Sequence, residues 1–214
     1  VDEGSARRWL EEELDVSRET FGRLEVFVEF LLSESEEQNL VSRATLDQVW
    51  SRHIVDSAQL LRLAPGEAKT WLDLGTGAGF PGLVIALLHP AQITMVEARK
   101  LRVDFLQRAA AVLELPASTR ILCSKVERVE ASNFDVISAR AFAPLDRLLT
   151  LGERFVSPAT RWVLPKGKNV KSELEEARAS WQGDFRLEQS LTDPDAQIIV
   201  AENVRRQSRG KRRK

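Results

Sequence analysis

A single cysteine, Cys123, has no partner for an intrachain disulfide and excludes a metal site built from several thiolates. Two histidines, His53 and His89, are too few for a histidine-rich centre, so no metal is expected. No apolar run reaches the roughly 20 residues that a membrane helix needs. The opening Val1-Asp2-Glu3-Gly4-Ser5 lacks the charged-then-apolar layout of a secretory signal. These absences predict a cytoplasmic protein without a membrane partner. With 214 residues, 43% hydrophobic and 29% charged, there is material for one α/β domain and a helical extension. Net charge is only −1, but seven positive charges and no acid fall in Asn203–Lys214, which leaves residues 1–202 at −8. Such a basic arm, with Arg205, Arg206 and Arg209 at its start, suits nucleic-acid phosphates and equally suits a solvated tail.

Residues 1–68 contain no convincing strand. Leu10, Leu14, Phe21, Leu24, Phe27, Val28, Leu31 and Leu32 recur at helical spacing, and a second helix is expected over Thr45–Leu63. Pro65-Gly66 closes this extension. From Lys69 short β-rich runs alternate with helices. Strands are expected at 70–74, 92–97, 119–123, 134–139, 161–165, 184–190 and 196–202, with helices at 82–89, 99–114, 144–155 and 170–181. This alternation builds a mostly parallel seven-stranded sheet with ligands at its carboxyl edge. The last two strands have no helix between them, so a C-terminal antiparallel hairpin is expected. The division is then a helical extension over 1–68, a ligand-binding domain over 69–204 and a basic tail without fixed structure over 205–214.

The strongest local signal is Asp73-Leu74-Gly75-Thr76-Gly77-Ala78-Gly79-Phe80-Pro81-Gly82, between a strand and a helix that Pro81 can start. Glycines there let a ligand approach bare backbone at a helix N-terminus. Asp73 before the first glycine works against a pyrophosphate and favours a ligand with a cationic amino end. S-adenosylmethionine has that end, a ribose diol for Glu97 and an adenine beyond, so it is preferred over a nicotinamide dinucleotide. Ser124-Lys125-Val126-Glu127 after strand three can meet the adenine, and Ser138-Ala139-Arg140-Ala141-Phe142 after strand four lies beside the transfer position. Lys166 and Lys168 follow strand five on the same edge.

Missing chemistry narrows the methyl acceptor. Methylases of exocyclic amines place Asn or Asp, two prolines and an aromatic after strand four, and this chain does not. Cytosine C5 methylation needs a cysteine nucleophile, whereas Cys123 follows Ile121-Leu122 at a strand end and reads as core. An acceptor with an in-plane lone pair, such as guanine N7, needs neither group and no general base, so no catalytic residue is assigned beyond Arg140 as the nearest candidate. On the Thr45–Leu63 helix, Arg52 and His53 can meet Asp56 on one face, either to brace the extension or to touch substrate.

These pieces resemble the bacterial 16S ribosomal RNA guanine-N7 methyltransferase family, also called glucose-inhibited division protein B. The resemblance runs from about Leu24 to Val200 and rests on Arg52-His53-Ile54-Val55-Asp56-Ser57, the Asp73–Gly82 run, Val126-Glu127, Ile137–Ala143 and Lys166-Gly167. It implies a class I, Rossmann-like methyltransferase fold, with S-adenosylmethionine as donor and S-adenosylhomocysteine as product. It also implies, as acceptor, N7 of one guanine in 16S ribosomal RNA, met as RNA or in the small subunit; separately, nothing in the sequence suggests an obligate interface, so a monomer is expected. By matching motif it would put Gly75, Phe80, Val126, Glu127 and Arg140 at the cofactor; the loop reading above adds Asp73, Thr76, Gly77 and Gly79, and Glu97 follows from both. Arg52, His53, Lys166, Lys168, Arg205, Arg206 and Arg209 would face RNA. The rival readings are a non-catalytic ribosome assembly factor and a nicotinamide-dependent oxidoreductase.

Overall fold

The computed structural model describes residues 1–207. Its centre is a seven-stranded sheet in the order β3-β2-β1-β4-β5-β7-β6. The strands are β1 (Thr70–Leu74), β2 (Gln92–Glu97), β3 (Arg120–Cys123), β4 (Val136–Ser138), β5 (Arg161–Lys166), β6 (Trp181–Gln189) and β7 (Gln197–Arg206). The first five pair in parallel, while β7 runs antiparallel to both β5 and β6. The expected parallel sheet with a closing hairpin is therefore present.

Alternation along β1 sends Trp71 to one face of the sheet and Leu72 and Leu74 to the other, so the sheet buries both sides. On the first face lie α1 (Glu3–Leu14), α2 (Arg18–Glu37), α4 (Gly82–Leu88) and α5 (Lys100–Val112), sharing one apolar core. Asp2 starts α1 through a reciprocal capping box with Ser5, and the stripe Phe21, Leu24, Phe27, Val28 and Leu31 turns α2 inward. On the second face, α6 (Leu145–Gly152) and α7 (Val170–Ala177) cover Trp162 and Leu164.

Three expectations need correction. The Thr45–Leu63 segment is not one amphipathic helix. It is a 3-10 turn (Arg43–Gln48), a π-helical turn (Trp50–Val55), the short α3 (Asp56–Ala58) and a further 3-10 turn (Gln59–Arg62). The Glu3 carboxylate accepts the N–H groups of Trp50 and Ser51 at 3.0 and 2.7 Å, starting the turn afresh there. Ser51, His53, Ile54, Val55, Ser57, Ala58, Gln59 and Leu60 are all buried, with only Arg52 and Asp56 partly open between them, so the stretch from Ser51 to Leu60 keeps little solvent face to set a helical phase. Cys123 is exposed, because β3 is the edge strand and Cys123 is its last residue. The boundary at 204/205 falls inside a strand: Arg205 and Arg206 pair with Gln182 and Trp181, which also makes β6 begin at Trp181. Arg209 and the rest of the basic arm lie outside the described residues.

Candidate functional site

A cavity of about 820 Å³ opens along the carboxyl edge of the parallel strands. The loop after β1 forms one wall. Gly75, Gly77 and Gly79 sit at φ +70°, +60° and +93°, which an L side chain adopts only with strain. A Cβ on Gly75 would lie 2.1 Å from Phe142 Cδ2, whereas one on Gly77 would meet nothing closer than the Gly75 carbonyl at 3.8 Å. Gly75 thus gives room to a neighbour, and Gly77 keeps open space above the backbone.

Asp73 lies beneath this loop and not in it. Its carboxylate is fully buried and accepts hydrogen bonds from the Thr76 hydroxyl, from Ser138 Oγ at 2.8 Å and from the Gly82 N–H at 3.1 Å. Trp71 Nε1 donates to Ser138 Oγ in turn at 2.9 Å. The reading of Asp73 as a direct partner for a ligand's amino end is corrected: its oxygens hold the loop to β4. Burial pushes its carboxyl up to about 6, against the lowering effect of those three donors and of Arg140. The unfolded value is 3.8, so between about pH 4 and 6 the folded chain keeps a proton that the unfolded chain releases. Stability from this group is therefore present at low pH and lost as pH rises through 6, by about 2–3 kcal/mol. The stability of the wild type minus that of Asp73→Asn, from urea unfolding, is expected to fall by this amount from pH 4 to pH 7. A flat difference would contradict the assignment.

Glu97 ends β2 beside the loop. Its Oε2 accepts the Gly77 N–H at 3.1 Å, and its Oε1 accepts the Arg99 N–H at 2.9 Å and Arg99 Nε at 3.1 Å. Burial raises the Glu97 carboxyl, but Arg99 and the Gly77 N–H outweigh that and hold it below the usual carboxylate range. Glu97 is thus ionised and tied to the glycine loop, with the exposed Arg99 as its outer cover.

The opposite wall joins the N-terminal segment to the β4 loop through Arg140. Its Nη1 donates to the Arg52 carbonyl at 3.1 Å and to Asp56 Oδ2 at 3.0 Å, and its Nη2 donates to His53 Nδ1 at 3.1 Å. His53 Nε2 lies 2.9 Å from Thr45 Oγ1, whose hydroxyl donates to the Ser42 carbonyl, so the ring carries its proton on Nε2. Burial first, then the charges of Arg140 and Arg52, pushes His53 down to about 3, and the ring is neutral. Phe80 is gripped by this group, 5.0 Å from the His53 ring and 5.2 Å from the Arg140 guanidinium. The expected pairing of Arg52 with Asp56 is corrected. Arg52 reaches Asp193 Oδ2 at 2.9 Å in the β6–β7 turn, while Asp56 takes Arg140 and the Thr192 hydroxyl. The sequence carried no signal for Thr192 and Asp193 beyond a turn.

Gly75, Thr76, Gly77, Phe80, Arg140, Arg52, His53 and Lys166 line the cavity. Gly79, Glu97, Val126 and Glu127 are not among the lining residues, although Glu97 is bonded to Gly77, and Lys168 is exposed next to the lining residue Gly167. Lys166 does not point to solvent as a phosphate ligand would. Its ammonium donates to the Ala143 carbonyl and to Glu173 Oε2, both at 2.8 Å, with the side chain buried. Arg205 and Arg206 stand at the far end of β7, and Arg206 pairs with Glu153 at 2.8 Å and lies over Trp181. They are on the rim opposite the cavity, away from the other residues expected to face RNA.

The family model GidB, described as rRNA small subunit methyltransferase G, matches residues 21–197. A relative of that name from Zymomonas mobilis is 48% identical over 214 residues, covering 95% of this chain and 96% of its own length. One from Novosphingobium aromaticivorans is 52% identical over 203 residues, covering 94% of this chain and 88% of its own. Among solved structures, a ribosomal protein L11 methylase from Lactobacillus delbrueckii subsp. bulgaricus superposes with a TM-score of 0.56 at 16% identity, over 72% of this chain and 77% of that one. The glycopeptide N-methyltransferase MtfA, complexed with S-adenosylmethionine, gives 0.57 at 10% identity, over 70% and 94%. At these identities the two structures speak for the fold alone.

Proposed function

The chain belongs to the rRNA small subunit methyltransferase G family, and from that membership we propose that it methylates N7 of one guanine in 16S ribosomal RNA. It is an S-adenosylmethionine-dependent enzyme on a class I methyltransferase fold. The single observation that supports the N7 assignment is the cavity wall itself: among the described residues that line it, Asp56, Asp193 and Glu173 are each paired with a cation and His53 Nδ1 takes an Arg140 N–H, so the wall holds its candidate bases in ion pairs and hydrogen bonds of its own.

The residues fit the cofactor. The space above Gly77 is open to a ligand, and the ionised Glu97 beside it suits a ribose diol once Arg99 yields. Val126 and Glu127, in the turn after β3, are assigned to the adenine end of the cofactor. When bound, S-adenosylmethionine would supply an electrophilic sulfonium methyl: a guanine N7 lone pair would form the N–C bond as the S–C bond breaks in line, the sulfur leaving as the neutral thioether of S-adenosylhomocysteine and the base becoming cationic. The chain's own contribution is position and field. Asp56 and Asp193 neutralise Arg140 and Arg52, so positive charge can move along this wall without opposition. Thr76 and Ser138, both bonded to Asp73, fix the loop against β4.

Labelled methyl transfer to small subunits from a strain lacking this enzyme, followed by nucleoside analysis, tests the reading. The expected product is 7-methylguanosine at one position; label in another nucleoside would refute it. The substrate is 16S RNA or the assembled subunit, met by a monomer in the cytoplasm. Among the described residues no helix is long and apolar enough to cross a membrane. The basic arm beyond Gln207 is assigned to RNA phosphates. Its removal is expected to weaken RNA binding and to flatten the plot of log K against log salt by about 0.7–0.9 per lost contact.

A further inference from the structure

The cavity is longer than the glycine loop that would hold the cofactor. From β1 it continues past β4 and β5 to the start of β7, where Pro165, Gly167, Gln197 and Ile198 line it. Three strand spacings separate β1 from β7, or about 14 Å along the sheet edge. That distance leaves a second compartment beside the first.

Phe142 stands at the junction of the two. The left-handed turn at Ala141 (φ +51°) brings it back toward β1, where Gly75 approaches the Cδ2 edge of its ring. The ring is half-buried, lines the cavity, and takes part in none of the ring–ring pairs found among the described residues. Its loop is fixed from behind. Lys166 Nζ donates to the Ala143 carbonyl at 2.8 Å, and Glu173 Oε2 accepts the Leu145 N–H at 3.0 Å as well as the Lys166 ammonium. Two buried-side anchors flank one partly open aromatic. Arg140, the other large planar group nearby, has both terminal nitrogens committed to Asp56, His53 and the Arg52 carbonyl.

We propose that Phe142 is the stacking platform for the acceptor base, and that the compartment over β4, β5 and β7 receives that planar purine out of its RNA stack. The proposal rests on the RNA-methylating reading above. Stacking suits this site because it tolerates the cation that forms on the ring and needs no hydrogen-bonding group aimed at the reacting nitrogen. The clasp of Lys166 and Glu173 then acts through Phe142 by fixing its loop, and does not touch the base.

The test compares Phe142→Leu, which keeps bulk without a π face, with Phe142→Tyr, which restores the face. Both proteins are checked by thermal melting, and three quantities are read: cofactor Kd by calorimetry, KM for RNA and kcat. Phe142→Leu is expected to raise KM for RNA roughly ten- to hundredfold while cofactor Kd stays at the wild-type value. Phe142→Tyr is expected to restore the KM. If Phe142 merely buttresses Gly75, Phe142→Leu will weaken cofactor binding and leave KM for RNA alone, which overturns the proposal. Equal impairment of the Leu and Tyr variants overturns it too. Wild-type protein inactive on RNA would overturn the methyltransferase reading and this proposal together, whereas an active wild type matched by Phe142→Leu would overturn this proposal alone.

Discussion

Arg140→Ala is expected to cut methyl transfer by about a hundredfold and to lower the melting temperature by about 6–12 °C. The first figure is what roughly an ångström of misplacement near reacting atoms costs. Arg140 is the strut between the β4 loop and the N-terminal segment, and it also packs over Phe80. The second figure follows from Asp56, which would keep its place among Gln59 and Thr192 without its cationic partner. Removing one member of a buried pair costs about 3 kcal/mol at the lower end, worth about 2–4 °C per kcal/mol in a chain of this size. Arg140→Lys keeps the charge but not the fork that reaches Asp56, His53 and a carbonyl together, so it is expected to recover stability better than activity. Steady-state kinetics and thermal melting of the two variants check this. Full transfer by Arg140→Ala would mean that the site has been drawn in the wrong place.

Gly75→Val is expected to abolish cofactor binding and to destabilise the fold by about 3–4 kcal/mol. The left-handed φ accounts for about 1–2 kcal/mol of this with any side chain. The rest is overpacking, since the first added carbon already falls 2.1 Å from the Phe142 ring. Gly77→Ala is the informative contrast. It bears the backbone strain but meets no side chain, so it is expected to cost only the strain itself, about 1–2 kcal/mol of stability, while filling the space a ligand needs. Calorimetric titration with the cofactor, beside urea unfolding, separates the two. Should Gly77→Ala bind cofactor as tightly as the wild type, the loop would not be the cradle.

The parts of the fold readable in the sequence were those where a local pattern and burial agree. Thr70–Leu74 and Gln92–Glu97 were placed to the residue, because both strands are buried central strands bounded by abrupt changes of composition. Thr45–Leu63 departs from one helix because apolar residues at helical spacing also describe a run, such as Ser51–Leu60, that is buried round most of its circumference and whose hydrogen bonding is reset by a glutamate 47 residues away. Cys123 misled because sequence does not say which strand is the edge. At the site, the glycine loop and Glu97 were legible as types in a pattern. The partners of Asp56 and Arg52 were not, since they arrive from 84 and 141 residues along the chain. Arg52 and Asp56, four apart, looked like a natural couple, and the fold gave each of them a distant partner.

The reversed direction of β7 makes it a ruler. Gln197 lies against the cavity and Arg206 on the opposite rim, nine residue steps apart, or about 30 Å of extended strand. The described chain ends at Gln207 on that far rim. An RNA held at once by the cavity and by Arg205 and Arg206 must therefore reach around the edge of the sheet. A short oligonucleotide that only fills the cavity would be blind to loss of the arm, and a longer folded substrate would not. The length of RNA at which truncation beyond Gln207 begins to matter would measure how far the enzyme extends its grip.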